Sequence, residues 1–455
     1  MSSRGDAPTS SRGDAPTSSP FAGKRLSSRP DRIAATVAVG LFALASVVGA
    51  VLTLTGRPVY ATAAPLFAKW LPHVGPGTPL ALMVAVLTVI HGPRLAARLP
   101  WRRLLVLSYL ATVAWTLSLA LIDGWQRGIA GRLTTEHEYL HEVPGITDIP
   151  ATLAVFTTRI LDFQPDSWAT HVSAHPPGAL LVFVWLDRIG LGGGAWAGLL
   201  CVLVAGLAAV AVPHTVRLLG TDEAARAVLP FVVLFPGAVW TGASGDGLFM
   251  GVTAAGIGLL AHGAVRGRAV AAIGGGALLG FGCYLSYGLV LMAPLALTVV
   301  LLSRRWAAAG WAVAGALPVA VVFTAFGFDW FDGYHLLIER YYQGIATDRA
   351  YAYWVWADLA CVVAAAGPVA AVVLRRAVPE ARRPGAALLP LAAAAAIVAA
   401  DLSGYSKAEV ERIWLPFSVW LLSGTALIPQ ADRRFWLAVQ VTVALAVNHL
   451  LLTNW

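Results

Sequence analysis

Long apolar runs recur along almost the whole chain, separated by short turns that carry arginine. A helix needs about 20 mostly apolar residues to cross the hydrocarbon core of a bilayer, so this rhythm predicts an all-α, polytopic membrane protein. Thirteen crossings are expected, at residues 33–55, 79–91, 104–122, 195–219, 227–242, 248–265, 269–284, 288–302, 307–326, 354–374, 385–402, 414–428 and 435–452. The apolar stretch 178–186 is kept out of this count, because Asp187 and Arg188 end it well short of the required length. It is expected to lie along the outer interface or as a re-entrant helix.

Composition narrows the class. Of 455 residues 58% are hydrophobic and 12% charged, about half the charged share of a soluble domain, which excludes an ordinary cytoplasmic enzyme. The 45 Gly and 27 Pro argue against a coiled coil, whereas helices packed in a membrane tolerate both. Cys201, Cys283 and Cys361 sit inside apolar runs, where a thiol acts as a small hydrophobe, and they imply neither a disulfide framework nor a zinc site. The net charge of +8 does not point to nucleic acid, since the basic residues fall in short clusters between apolar runs.

Those clusters set an orientation. Residues 1–32 form a polar tail that repeats Ser-Ser-Arg-Gly-Asp-Ala-Pro-Thr at 2–9 and 10–17 and is expected to be disordered, with the transmembrane domain occupying 33–455. Lys24, Arg25, Arg29 and Arg32 before the first run place the tail in the cytoplasm. With that end inside, thirteen crossings put Arg94 to Arg103, Arg217 with Arg226, Arg266 with Arg268, Arg304 with Arg305, Arg375 with Arg376, Arg382 with Arg383, and Arg433 with Arg434 all in inner turns. The carboxyl end is then outside, in a plasma membrane location.

The remaining polar residues collect on the outer side, in a large loop at 123–194, a turn at 241–247 and loops at 327–353 and 403–413. Asp123 closes an outward span and suits a general base at the membrane surface, or simply ends a helix before Gly124. Asp246, with Ser244 beside it, is either a site carboxylate or a turn former. His175 precedes Pro176-Pro177, which hold it in an extended entry where its ring either donates to a phosphate or sugar hydroxyl, or satisfies a backbone carbonyl at a rigid corner. Proline there also disfavours a helical metal pair with His171. In the last outer loop Lys407, Glu409, Glu411 and Arg412 meet the start of an apolar run. A cation there suits a lipid phosphate, while Glu409 and Arg412 alternatively make only a surface pair. Arg340, among aromatic residues, is a further phosphate candidate or an interfacial anchor.

Taken in order, Asp123 at the end of an outward span, Glu138-Tyr-Leu140, His175-Pro-Pro177 and the acidic turn at Asp246 resemble the GT-C superfamily of integral membrane glycosyltransferases, such as the protein mannosyltransferases and lipid A aminoarabinose transferases. The resemblance runs from about Leu104 to Val265. It implies transfer of a sugar from a polyprenyl-phosphate donor on the outer face, with Asp123 as catalytic carboxylate, His175 as the histidine of the His-Pro-Pro element and Asp246 as the second acidic position. Three features depart from it, one being Tyr284-Leu-Ser-Tyr287 where many relatives carry a lysine after the seventh or eighth helix. Asp123 is followed by Gly124 where relatives often carry a second carboxylate, leaving Glu136 or Glu138 as its partner, and two spans rather than none precede its own.

The resulting expectation is a glycosyltransferase whose catalytic residues are Asp123, Glu138 and His175, and whose substrate is held by Asp246, Ser244, Glu136, Lys407, Arg412 and Arg340. Its partners would be the lipid-linked donor, the bilayer and a glycan, lipid or protein acceptor. No cofactor is called for, and a divalent metal stays open because the outer carboxylates are scattered along the sequence. The alternative is a transporter or flippase of a lipid-linked or small polar substrate. It would be built on broken helices such as those Gly192-Gly-Gly194 and Gly274-Gly-Gly276 favour, although few ionisable groups lie inside the spans.

Overall fold

The computed structural model describes residues 28–382 and 385–454. The repeats at 2–17, Lys24, Arg25 and Arg383 lie outside the described residues. Among those described, the chain is almost wholly helical, with one antiparallel ribbon pairing Ala68–Trp70 with Leu451–Thr453. The first helix begins at Arg29, inside the expected tail, because Pro30 fits a first turn where no backbone N–H is needed.

Among the described residues six helices are long and apolar enough to cross a membrane: Arg29–Leu54, Thr78–Arg98, Trp101–Asp123, Gly194–Leu219, Gly245–Arg266 and Trp306–Ala325. Each coincides with an expected crossing. Four others are shorter apolar helices, Ala269–Leu285, Tyr287–Ser303, Leu388–Ser403 and Leu415–Leu427. The expected straight crossing at 354–374 is instead a pair, Tyr351–Ala366 and Val369–Glu380, bent by 103°. Gly367 takes φ +79° at the break, and the missing N–H of Pro368 interrupts the hydrogen-bond ladder. The crossing expected at 227–242 is the 12-residue helix Asp222–Val233 followed by the single turn Ala238–Thr241. The polytopic all-α architecture is therefore as expected; among the described residues six of the expected crossings are helices long and apolar enough to span by themselves, seven with the bent pair, and others are shorter apolar helices.

Small residues let the spans approach closely. A side chain at Gly276 would lie 1.9 Å from the Ala312 carbonyl oxygen, and one at Gly315 2.0 Å from that of Ile273, so Ala269–Leu285 and Trp306–Ala325 meet backbone to backbone. At one end of the bundle arginines tie the helices together. Asp31, fully buried, accepts from Arg375 Nε at 2.9 Å and from Arg376 Nε at 3.1 Å. Arg226 donates to the carbonyls of Ala96 and Leu99 at 2.6 and 2.9 Å, capping the last turn of Thr78–Arg98.

The opposite end is built from the large loop and the later turns. The stretch at 178–186 forms most of a 12-residue helix, Pro177–Arg188, too short to span, with Pro177 to Leu181, Phe183 and Val184 buried. The turn before Gly245–Arg266 is closed by Ser244, whose hydroxyl caps that helix by accepting from Gly247 N at 3.1 Å.

Candidate functional site

Two side-chain clusters occupy this second end. The first surrounds Asp123. Glycine makes it possible: a Cβ at Gly75 would lie 1.8 Å from the Ile122 carbonyl oxygen, and one at Gly77 2.0 Å from that of Ser118. The 73–77 loop thus lies flat on the end of Trp101–Asp123 and delivers His73, whose Nε2 donates to Asp123 Oδ1 at 2.8 Å. Its Nδ1 lies 2.7 Å from the Leu71 carbonyl oxygen, which fixes the ring from its other side. Arg127 Nε and Arg132 Nη2 each stand 3.7 Å from Asp123 Oδ2. Arg127 also donates to the Thr453 carbonyl at 2.9 Å, and the backbone N–H of His73 to that of His449 at 2.8 Å, so the Leu451–Thr453 strand walls the cluster.

The second cluster is a buried polar chain. Arg412 Nη1 donates to Asp246 Oδ2 at 2.5 Å, and Nη2 to Glu409 Oε2 at 3.0 Å. The same Nη2 lies 3.3 Å from His171 Nε2. A guanidinium only donates, so Nε2 carries the lone pair and the proton sits on Nδ1, 3.0 Å from Glu138 Oε1. Glu138, His171, Arg412 and Asp246 therefore form one continuous chain of polar contacts, donated outward from Arg412, with all four side chains buried. Although burial disfavours its charge, Asp246 and Glu409 make Arg412 hold its proton more firmly than usual. Glu409 also receives Arg349 Nη2 at 3.1 Å. The turns that aim these groups are strained, with Ala243, Ala408 and Glu409 at φ between 58° and 68°, a region L-residues avoid.

Arg132 belongs to the first cluster and lies within electrostatic reach of the second. It feels the charge of both Asp123 and Glu138, and its Nε is buried without a hydrogen-bond partner. Burial and the neighbouring charge of Arg127 pull its pKa down to about 10.

The residues expected from the sequence are distributed unevenly over this end. Asp123, Glu138, Asp246 and Arg412 fall in the two clusters. His175 adjoins them: its Nδ1 faces the His171 carbonyl at 2.8 Å and the Tyr139 hydroxyl at 2.9 Å, while Phe249 packs edge-on. Burial drives its pKa down to about 4, against the opposing pull of Asp246, so the ring is neutral with its proton committed to Nδ1. Glu136 is exposed, 3.7 Å from His137, and partners neither Asp123 nor the buried chain. Ser244 is occupied as a helix cap. Lys407 is buried, with Nζ donating to the carbonyls of Ala346 and Arg349 at 2.5 and 2.9 Å. Arg340 pairs with Asp162 and donates to Ser173 Oγ at 3.2 Å. The pair Glu409–Arg412 does exist, but Arg412 is buried, Glu409 is partly buried, and the pair continues into Asp246.

The partners of Asp123 are His73, Arg127 and Arg132, not the expected Glu136 or Glu138. His73, Arg132, His171, Arg349 and Glu409 were absent from the expected site. Among the described residues no group of three or more His, Cys, Asp or Glu side chains is disposed to hold a metal ion.

An all-α integral membrane protein with a buried ionic network at one end of its spans is the class that fold and site define. No family model matches the chain, and no curated protein matches it. Among solved structures, the crystal structure of ArnT from Cupriavidus metallidurans in the apo state is similar, at a TM-score of 0.44 and 17% identity, over 70% of this chain and 59% of that one. The chain thus spans less than two thirds of that protein's length.

Proposed function

We propose that this protein transfers a sugar from a polyprenyl-phosphate-linked donor to an acceptor hydroxyl on the outer face of the membrane. The supporting observation is that Asp123, with Arg127 and Arg132 each 3.7 Å from its Oδ2, and the buried Glu138–His171–Arg412–Asp246 chain share the end of the bundle away from the arginine ties around Asp31 and Arg226. Arginine excess puts the latter end, with the amino terminus, in the cytoplasm and the ionic network outside.

In the reaction Asp123 accepts the proton of the acceptor hydroxyl as that oxygen attacks the anomeric carbon. The bond from the anomeric carbon to the phosphate oxygen breaks, and its electron pair leaves with the polyprenyl phosphate, inverting the centre. Arg127 and Arg132 stabilise the developing phosphate charge. They suit that role better than Lys407, whose ammonium is spent on two carbonyls, or Arg412, which already serves two carboxylates. Glu138 and Asp246 bind sugar or acceptor hydroxyls through the buried chain. His175, neutral, orients Tyr139 and the helix entry at Pro176.

A second reading, transport of a lipid-linked or polar substrate, is favoured by one observation, the 103° break inside Tyr351–Glu380, since discontinuous helices often line transport sites. Purified protein given radiolabelled polyprenyl-phosphate sugars separates the two. Transfer moves label from the lipid to a water-soluble or acceptor-bound product, whereas transport leaves the lipid-sugar bond whole.

A further inference from the structure

At the arginine-bearing end, a groove of about 570 Å³ opens between Thr78–Arg98, Trp101–Asp123 and Asp222–Val233. Its walls are apolar for most of its length, with Val84, Leu87, Leu107, Ala111, Leu229 and Val233 along it. Leu87 and Leu107 are exposed. Pro93 and Pro230 remove backbone donors from two of the three walls, and Gly92 meets Pro230 Cβ within 3.5 Å of where its own Cβ would be. At the end of the groove the lining changes to His91, Arg94 and Arg98.

The arginines around this end divide into two kinds. Arg217 and Arg226 share Asp222, and Arg226 also caps the helix end through Ala96 and Leu99. Arg94 and Arg98 have no carboxylate or carbonyl partner among the described residues, and both are exposed. A long apolar trough ending in two uncommitted guanidinium groups, on a surface that faces lipid, is complementary to a molecule with an acyl chain and an anionic head.

We propose that this groove binds an anionic phospholipid, with an acyl chain along Leu87, Leu107 and Val233 and the phosphate between Arg94 and Arg98. A zwitterionic lipid fills the apolar part equally well but gains less at the arginines. A basic residue near the surface strengthens attraction to an anionic headgroup by roughly fivefold, so two give a preference of about 25-fold. The site is separate from the ionic network at the other end and does not depend on the sugar-transfer reading.

The test is native mass spectrometry of the purified full chain titrated with phosphatidylglycerol and, separately, phosphatidylcholine. The expected result is an approximately 25-fold preference for phosphatidylglycerol, lost in the R94Q/R98Q double variant and kept in R102Q/R103Q. The second variant removes the same charge from residues that do not line the groove. If R94Q/R98Q does not fold, Leu107→Trp, which fills the apolar part, is expected to weaken both lipids together. Equal affinity of the wild type for the two lipids would overturn the proposal. So would an equal loss in R102Q/R103Q, which would mean attraction to a basic surface, or stabilisation by inorganic phosphate as strong as by the lipid, which would mean an anion site alone.

Discussion

Arg412 is the position at which the buried network is most exposed to a single change. Replacing it with Met keeps the volume of the stem and removes a guanidinium that serves Asp246 at 2.5 Å and Glu409 at 3.0 Å. At an effective dielectric near 20, charges about 4 Å apart attract by about 4 kcal/mol, so two such contacts represent about 8 kcal/mol before desolvation is charged against them. Glu409 retains Arg349 at 3.1 Å, so the uncompensated group is Asp246, and losing one partner of a buried pair costs about 3–5 kcal/mol. In detergent this corresponds to a fall in melting temperature of roughly 3–5 °C, read by tryptophan fluorescence. Adding Asp246→Leu should recover more than half of the loss, because the stranded carboxylate is then gone. Arg412→Met melting with the wild type, or costs that simply add in the double variant, would refute the claim that the two side chains form one buried unit.

Further outcomes follow from the same geometry. Asp123→Asn should abolish sugar transfer while leaving expression and folding intact, since the amide oxygen still accepts from His73; normal turnover by this variant would remove the general-base assignment. Gly75→Ala places a methyl group 1.8 Å from the Ile122 carbonyl oxygen, so the 73–77 loop must lift and carry His73 off Asp123. Transfer is expected to fall about 100-fold, and a variant with unchanged rate would show that the loop does not position the carboxylate. Glu411, fully buried beside Glu409 and accepting from Phe67 N at 3.1 Å, has its pKa raised by burial to about 7. Its neutral form therefore stabilises the fold fully below the unfolded value near 4.5, and about 3 kcal/mol of that is lost as pH rises through 7. Glu411→Gln should match the wild type near pH 5 and melt higher at pH 8; parallel melting curves across that range would contradict the shift.

The long spans were legible because their information is local. The apolar runs around Ala45, Val84, Leu104 and Ile257 each correspond to a full-length helix. The break at Gly367-Pro368 was also written locally, as a turn dipeptide inside an apolar run, but apolarity alone outweighed it in counting spans. Asp123, Glu138, Asp246 and Arg412 stood out because ionisable groups are scarce in this chain, and all four fall in the two clusters. What joins them was not visible. His73 lies 50 residues before Asp123, and Arg412 lies 166 after Asp246, distances at which sequence spacing carries no geometry. Lys407 and Ser244 illustrate the converse, since residue type predicts binding capacity but not whether nearby carbonyls and amides have already consumed it.

The ribbon that pairs Ala68–Trp70 with Leu451–Thr453 bears on how such a protein is made. A chain inserted span by span has Asp123 in place early, yet the wall that Arg127 leans on arrives with the final strand, and the guanidinium for Asp246 only shortly before it. Until then Asp246 lacks its guanidinium, and the cluster of His73, Arg127 and Arg132 around Asp123 stands open on the side that the strand closes. Biogenesis and activity are thereby coupled: a molecule stalled before Leu451 would hold nearly all its helices and still lack the closed end on which its chemistry depends.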